Sequence, residues 1–120
     1  MNTRTIGERG EKIAADYLVQ RGYRILAKNF RIKSGEIDLV TMHKGCVCFI
    51  EVKSRKTYAT PQEAVSRLKQ RKLTRLAQAY LQEYCGSIDV PCRFDVVAIE
   101  ETVEGKIRLE LFENAFDAVY

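Results

Sequence analysis

No stretch of this sequence approaches the apolar length that a bilayer-spanning helix needs. The first twelve residues, MNTRTIGERGEK, lack the hydrophobic centre of a secretory leader. Both absences lead to the expectation of a soluble, cytoplasmic protein with no membrane partner. The four cysteines, Cys46, Cys48, Cys85 and Cys92, lack the C-x-x-C pairing of zinc ribbons, so they are expected to be reduced thiols rather than metal ligands. Repeats, low-complexity tracts and signs of a second domain are missing too. With 120 residues, 46% of them hydrophobic, the chain is long enough to enclose one core without disulfides or a structural metal. Residues 1–120 are therefore expected to form one domain.

Acidic residues are scarce in the first part of the chain. Residues 1–85 hold 17 Lys or Arg against 8 Asp or Glu, a balance of +9, whereas residues 86–120 hold 3 against 8, a balance of −5. Clustered positive charge suits a polyphosphate partner, because neutralising phosphates releases condensed counterions. A solvated surface that keeps the protein soluble accounts for the same charges equally well.

The hydrophobic pattern predicts a helix over residues 7–22, with Ile13, Ala14, Tyr17 and Leu18 at helical spacing and Gly22 as its stop. An extended segment follows at 23–31. GEIDLV (35–40) alternates polar and apolar, His43-Lys44-Gly45 reads as a turn, and residues 46–53 return as an antiparallel neighbour. Residues 54–61 are a polar connection. Ala64, Val65, Leu68, Leu73, Leu76, Ala77, Tyr80 and Leu81 predict an amphipathic helix over 62–85 that ends at Gly86. FDVVAI (94–99) reads as a strand covered on both faces, and IRLELF (107–112) as an edge strand.

Two strands carry carboxylates where a core-bound segment should be apolar. Alternation sends Glu36 and Asp38 to one side and Ile37 and Leu39 to the other; it likewise groups Glu51 with Lys53, against Ile50 and Val52. Pairing through the His43-Lys44-Gly45 turn sets Asp38 nearly opposite Glu51. Like charges across a sheet are destabilising unless compensated. A divalent cation would compensate them, and carboxylate oxygens suit Mg2+ or Mn2+. Lys53 beside such an ion could orient a water nucleophile and offset transition-state charge. Exposed salt bridges on a solvated hairpin are the alternative. On the first helix Glu11 projects within about 20° of Leu18, at the core-facing edge, where it could reach the same place. On the long helix Lys69 and Lys72 lie among Val65, Leu68 and Leu76. Either their stems snorkel, or Lys69 faces the site or a phosphate beside it. Arg67, Arg71 and Arg75 form a separate stripe that suits solvent or nucleic acid.

Glu11, the Asp38 of GEID and Glu51-Val52-Lys53, in this order, resemble the PD-(D/E)-x-K nuclease pattern. GERGEKIAADYLVQRGY, ILAKNFR, GEIDLV, FIEVKSR and RFDVVAI together resemble the YraN-like (UPF0102) family, which is similar to archaeal Holliday junction resolvases. The resemblance implies a restriction-endonuclease-like α/β fold: one domain whose mixed central sheet is flanked by helices, in the order α-β-β-β-α-β-β. It implies Asp38 and Glu51 as metal ligands, Lys53 as the catalytic lysine and Glu11 as the accessory carboxylate. Ile37 replaces the proline that many such nucleases carry before the aspartate; the proline is not a ligand. A Mg2+- or Mn2+-dependent endonuclease acting on DNA, branched DNA included, is the activity implied. A nucleic-acid-binding module without cleavage is the alternative. The residues expected to meet nucleic acid are Arg31, Arg55, Arg67, Lys69, Arg71 and Lys72. Resolvases of this fold work as dimers, so a homodimer is expected by analogy.

Overall fold

The computed structural model describes residues 3–54 and 65–120, with side chains from Arg9 onward. Arg55 and most of the expected 54–61 connection lie outside the described residues. The described elements run α1 (Thr3–Gln20), β1 (Arg24–Ile32), β2 (Gly35–His43), β3 (Cys46–Ser54), α2 (Arg67–Cys85), β4 (Cys92–Glu101) and β5 (Ile107–Phe116). This is the expected α-β-β-β-α-β-β order in a mixed α/β fold. The five strands lie in sequence order across one sheet, parallel only between β3 and β4, and β5 is an edge as expected.

Each helix covers one face of the sheet, which leaves two apolar layers. Against α1, Ala14, Ala15 and Leu18 meet Leu39, Cys48, Ile50 and Val97. Against α2, Leu73, Leu76, Ala77, Tyr80 and Leu81 meet Ile37, Val40, Val47, Phe49, Phe94 and Val96. β4 thus alternates between two covered faces, which explains why FDVVAI is so apolar. Lys44 and Gly45, at φ 51° and 76°, make the two-residue hairpin between β2 and β3. Leu39 pairs with Ile50 and Val40 with Phe49, the register that the turn predicts.

Both helix starts differ from expectation. α1 begins at Thr3, because Gly7 does not interrupt it. Gly10, inside α1, has a packing reason: a Cβ there would lie 3.3 Å from Ile99 Cδ1, so glycine lets the helix approach β4 closely. α2 begins at Arg67, where Ser66 caps it by accepting a hydrogen bond from the Lys69 amide at 3.2 Å. Val65 is buried ahead of the helix rather than within it, and residues 62–64 lie outside the described residues. Gly86 ends α2 in the left-handed conformation (φ 72°), as expected. Leu68, assigned to the apolar stripe by its spacing, is instead 62% exposed, since it sits in the first turn beyond the sheet-facing residues.

Strict alternation along β2 also fails. Ile37 and Val40 join the α2 side and Leu39 the α1 side, so Ile37 and Leu39 do not share a face. The ladder to β1 runs Lys28 against Leu39 and Phe30 against Ile37, and between them Asn29 adopts φ 54°. Asp38 lies between these two pairs, whereas the register shift of this ladder falls between Ile25 and Ala27.

A second polar knot accounts for Asp95, fully buried in the middle of β4. Arg93 Nε lies 3.0 Å and 3.1 Å from the two Asp95 carboxylate oxygens, and the Asn114 amide donates to Asp95 Oδ1 at 2.8 Å. Arg93 Nη2 donates to Tyr23 Oη at 2.7 Å and lies 3.4 Å from His43 Nδ1; the Tyr23 and His43 rings stack at 4.0 Å. The chain's single histidine is used here, away from the acidic residues of β2 and α1.

Candidate functional site

Three elements, α1, β2 and β3, meet around Asp38. Carboxylate oxygens of Glu11 on α1 and of Glu36 and Asp38 on β2 all lie within 4.8 Å of one another, and all three residues are half-buried. Asp38 Oδ2 accepts the Val52 amide at 2.8 Å. This bond from β3 locks the aspartate against the neighbouring strand just past the last backbone pair of the hairpin. Arg31, opposite Glu36 in the β1 ladder, places its Nε 3.3 Å from Glu36 Oε2 at an exposed position.

Glu51 follows on β3. Its residue is only 4% exposed, and it lies on the α2 side, as expected from Ile50 and Val52 packing on the α1 side. Lys69 Nζ, from α2, lies 3.0 Å from Glu51 Oε2, and Lys53 Nζ lies 4.0 Å from the same oxygen. The other oxygen, Oε1, is buried with no hydrogen-bond partner among the described residues. Burial, and then the charge of Asp38, push the Glu51 carboxyl up to about 7 despite the two ammonium groups. Burial likewise raises Asp38, although the Val52 amide and the two lysines oppose it. Burial and the adjacent Lys69 lower Lys53. For Lys69 burial works downward but the attraction of Glu51 wins, so it is raised.

Of the residues expected at a metal site, Glu11 and Asp38 thus stand together. Glu51 is close enough for Asp38 to perturb it, yet its Oε2 is engaged by lysine and it does not belong to the group of three carboxylates. Glu36, which alternation places on the side of Asp38, completes the group of three, although it was not among the expected ligands. Lys69 reaches the site through Glu51. Lys72, Arg67, Arg71 and Arg75 are exposed on α2, and Arg55 lies outside the described residues. None of the four thiols joins a metal-ligating group among the described residues, and all are free. Cys48 is buried, Cys46 half-buried, and Cys85 and Cys92 exposed.

The donor set fits a hard divalent cation. Three carboxylates with all-oxygen donors approach one another closely, a repulsion that a cation would relieve, and Glu51, whose Oε1 is buried without a hydrogen-bond partner among the described residues, is close enough to feel Asp38. Glu11, Glu36 and Asp38 could hold the ion, with Glu51 joining if Lys69 yields its oxygen.

Comparison with known proteins finds a family and similar chains. The family model described as "Uncharacterised protein family UPF0102" matches residues 10–99. A UPF0102 protein of Symbiobacterium thermophilum is 50% identical over 97% of this chain and 99% of its own. One of Geobacter sulfurreducens is 41% identical over 99% of this chain and 94% of its own. Among solved structures, SfsA of Pyrococcus furiosus in complex with Ca2+ is similar at a TM-score of 0.47 and 15% identity, over 97% of this chain and 65% of that one. Among the described residues no helix is long and apolar enough to cross a membrane. With three quarters of its length matched by the family model and relatives aligned almost end to end, the chain belongs to the UPF0102 family.

Proposed function

We propose that this chain is a metal-dependent nuclease that hydrolyses phosphodiester bonds in DNA, branched DNA included. One observation carries the reading: the carboxylates of Glu11, Glu36 and Asp38 meet within 4.8 Å of one another, beside a buried Glu51 flanked by Lys53 and Lys69. Acidic oxygens next to ammonium groups match the needs of phosphoryl chemistry, which are a cation site and fixed positive charge. When bound, Mg2+ or Mn2+ supplies Lewis-acid stabilisation of phosphoryl charge and acidifies water.

The chain's own groups have separable roles in this reading. Glu11, Glu36, Asp38 and Glu51 hold the cation, and the Val52 amide orients Asp38 for it. Lys53, half-buried and with its proton affinity lowered, orients the attacking water and faces developing negative charge. Arg67, Arg71 and Lys72 on the exposed side of α2 meet backbone phosphates and set the register of the strand. Arg31, exposed and paired with Glu36, offers a further phosphate contact.

A second reading, binding without cleavage, is favoured by one feature. Lys69 occupies Glu51 Oε2 at 3.0 Å, and an ammonium there can stand permanently where a cation would otherwise act. Incubation of the wild type and Asp38→Asn with Mg2+ or Mn2+ on branched, flapped, single-stranded and fully paired DNA separates the two. Cleavage that falls by about 100-fold or more in the variant supports the nuclease. Salt-dependent binding with no product after long incubation with Mn2+ supports the binding module.

A further inference from the structure

Beside the carboxylates lies a groove of about 300 Å³, between the β1–β2 turn and the first turns of α2. Ser34 and Glu36 form one wall; Ser66, Leu68, Lys69 and Lys72 form the other. Two of these residues belong to the site already described: Glu36 is in the acidic group and Lys69 pairs with Glu51. A molecule in the groove is therefore continuous with whatever occupies the site.

The lining combines three chemistries. Leu68 presents an apolar side chain that is 62% exposed amid a basic surface, with Arg67 and Arg71 exposed on either side of it in sequence. The Lys69 and Lys72 ammonium groups suit phosphate. The Ser34 and Ser66 hydroxyls can donate and accept. An apolar surface for a base, cations for its phosphate and hydroxyls for polar edges are together what a nucleotide requires. The volume is at the small end of ligand pockets, enough for one nucleotide and too little for a duplex.

We propose that this groove receives one unpaired nucleotide of the substrate strand, next to the phosphate presented to the carboxylates, with Leu68 as the apolar wall against the base. Exposed aliphatic side chains serve elsewhere as wedges that separate stacked bases. The inference rests on the nuclease reading and narrows its substrate to nucleic acid with an unstacked nucleotide, at a flap, gap, bulge or single-stranded end, in preference to a continuous duplex.

The test is binding rather than cleavage. Fluorescence anisotropy is measured with Ca2+ in place of Mg2+, on a fully paired duplex and on the same duplex with one unpaired 2-aminopurine nucleotide. The wild type should prefer the second by about tenfold, with a change in 2-aminopurine emission. Leu68→Ser should bring the preference close to unity and abolish the emission change, Leu68→Met should retain both, and the melting temperatures of both variants should match the wild type. A wild type that binds both duplexes equally, or a Leu68→Ser variant that keeps the preference, overturns the proposal and leaves the nuclease reading standing. Failure to bind any nucleic acid overturns both.

Discussion

Lys69 Nζ on α2 stands 3.0 Å from Glu51 Oε2 on β3, while the second oxygen of that carboxylate is buried with no hydrogen-bond partner among the described residues. An isolated buried carboxylate is costly, and this ammonium offsets part of the cost without completing the site. Lys69→Met should therefore destabilise the metal-free protein by about 1–2 kcal/mol, less than a fully buried pair would lose because the lysine is partly exposed. Millimolar Mg2+ should recover much of the loss. Urea denaturation with and without metal measures both, and a variant as stable as wild type in chelator would show that the pair contributes nothing.

Metal binding should register as stability even in the absence of DNA. If the cation binds only the folded chain, saturation to about 100 times the dissociation constant adds about 2.7 kcal/mol. Asp38→Asn should abolish the rise in Tm, and Glu36→Gln should weaken metal binding by about tenfold or more, since each removes a charged oxygen from the group within 4.8 Å. Calorimetric titration of Mn2+ into the three proteins gives the comparison. Wild-type affinity in Glu36→Gln would remove Glu36 from the ligand set.

The pH dependence follows from Glu51. Its carboxyl rises from 4.5 to about 7 on folding, so the folded chain holds the proton more tightly than the unfolded one. Metal-free stability should then fall as pH rises between these values, and Asp38 and Asp95, also raised, act in the same direction. Metal needs the ionised form, so the Mg2+-induced gain in Tm should grow as pH increases through about 7. Thermal melts with chelator and with Mg2+ across this range decide it; a metal effect that shrinks with rising pH has the wrong sign.

Arg93 and Asp95 should matter to stability and not to the site. Removing one partner leaves the other charged and desolvated, so Arg93→Ala should cost about 3–5 kcal/mol. Mn2+ affinity of the remaining folded protein should be unchanged, because the knot of Arg93, Asp95, Tyr23 and His43 shares no residue with the acidic group. Chemical denaturation beside metal titration tests both halves.

The hairpin was legible because two local signals agree: period-two alternation in residues 35–40 and 46–53, and the left-handed Lys44-Gly45 turn that fixes their register. Glu11 was legible from helical projection alone. Glu36 was placed on Asp38's side of β2 by alternation, but its approach to Glu11 on α1 is a tertiary contact that no spacing shows. The change of face between Ile37 and Leu39 breaks the period of two, so alternation alone does not show it. Asp95 is held by Arg93, two residues before it on β4, and by the Asn114 amide of β5; Arg93 in turn reaches Tyr23 and His43, which no local pattern brings to it. The start of α2 carried a readable cap at Ser66, yet the apolar spacing of Ala64 and Val65 extended the expected helix past it.

The parallel seam between β3 and β4 has a consequence for how the chain is made. Val47 meets Cys92, forty-five positions later in sequence, whereas the other neighbouring strands close through short connections. Such long-range closure must be entropically met before it yields any contact, so it comes late in folding. Glu51 lies on this seam, opposite Val96. Glu51 therefore gains its final surroundings only once the two halves of the chain have met, whereas Glu11, Glu36 and Asp38 sit on elements that need no such closure.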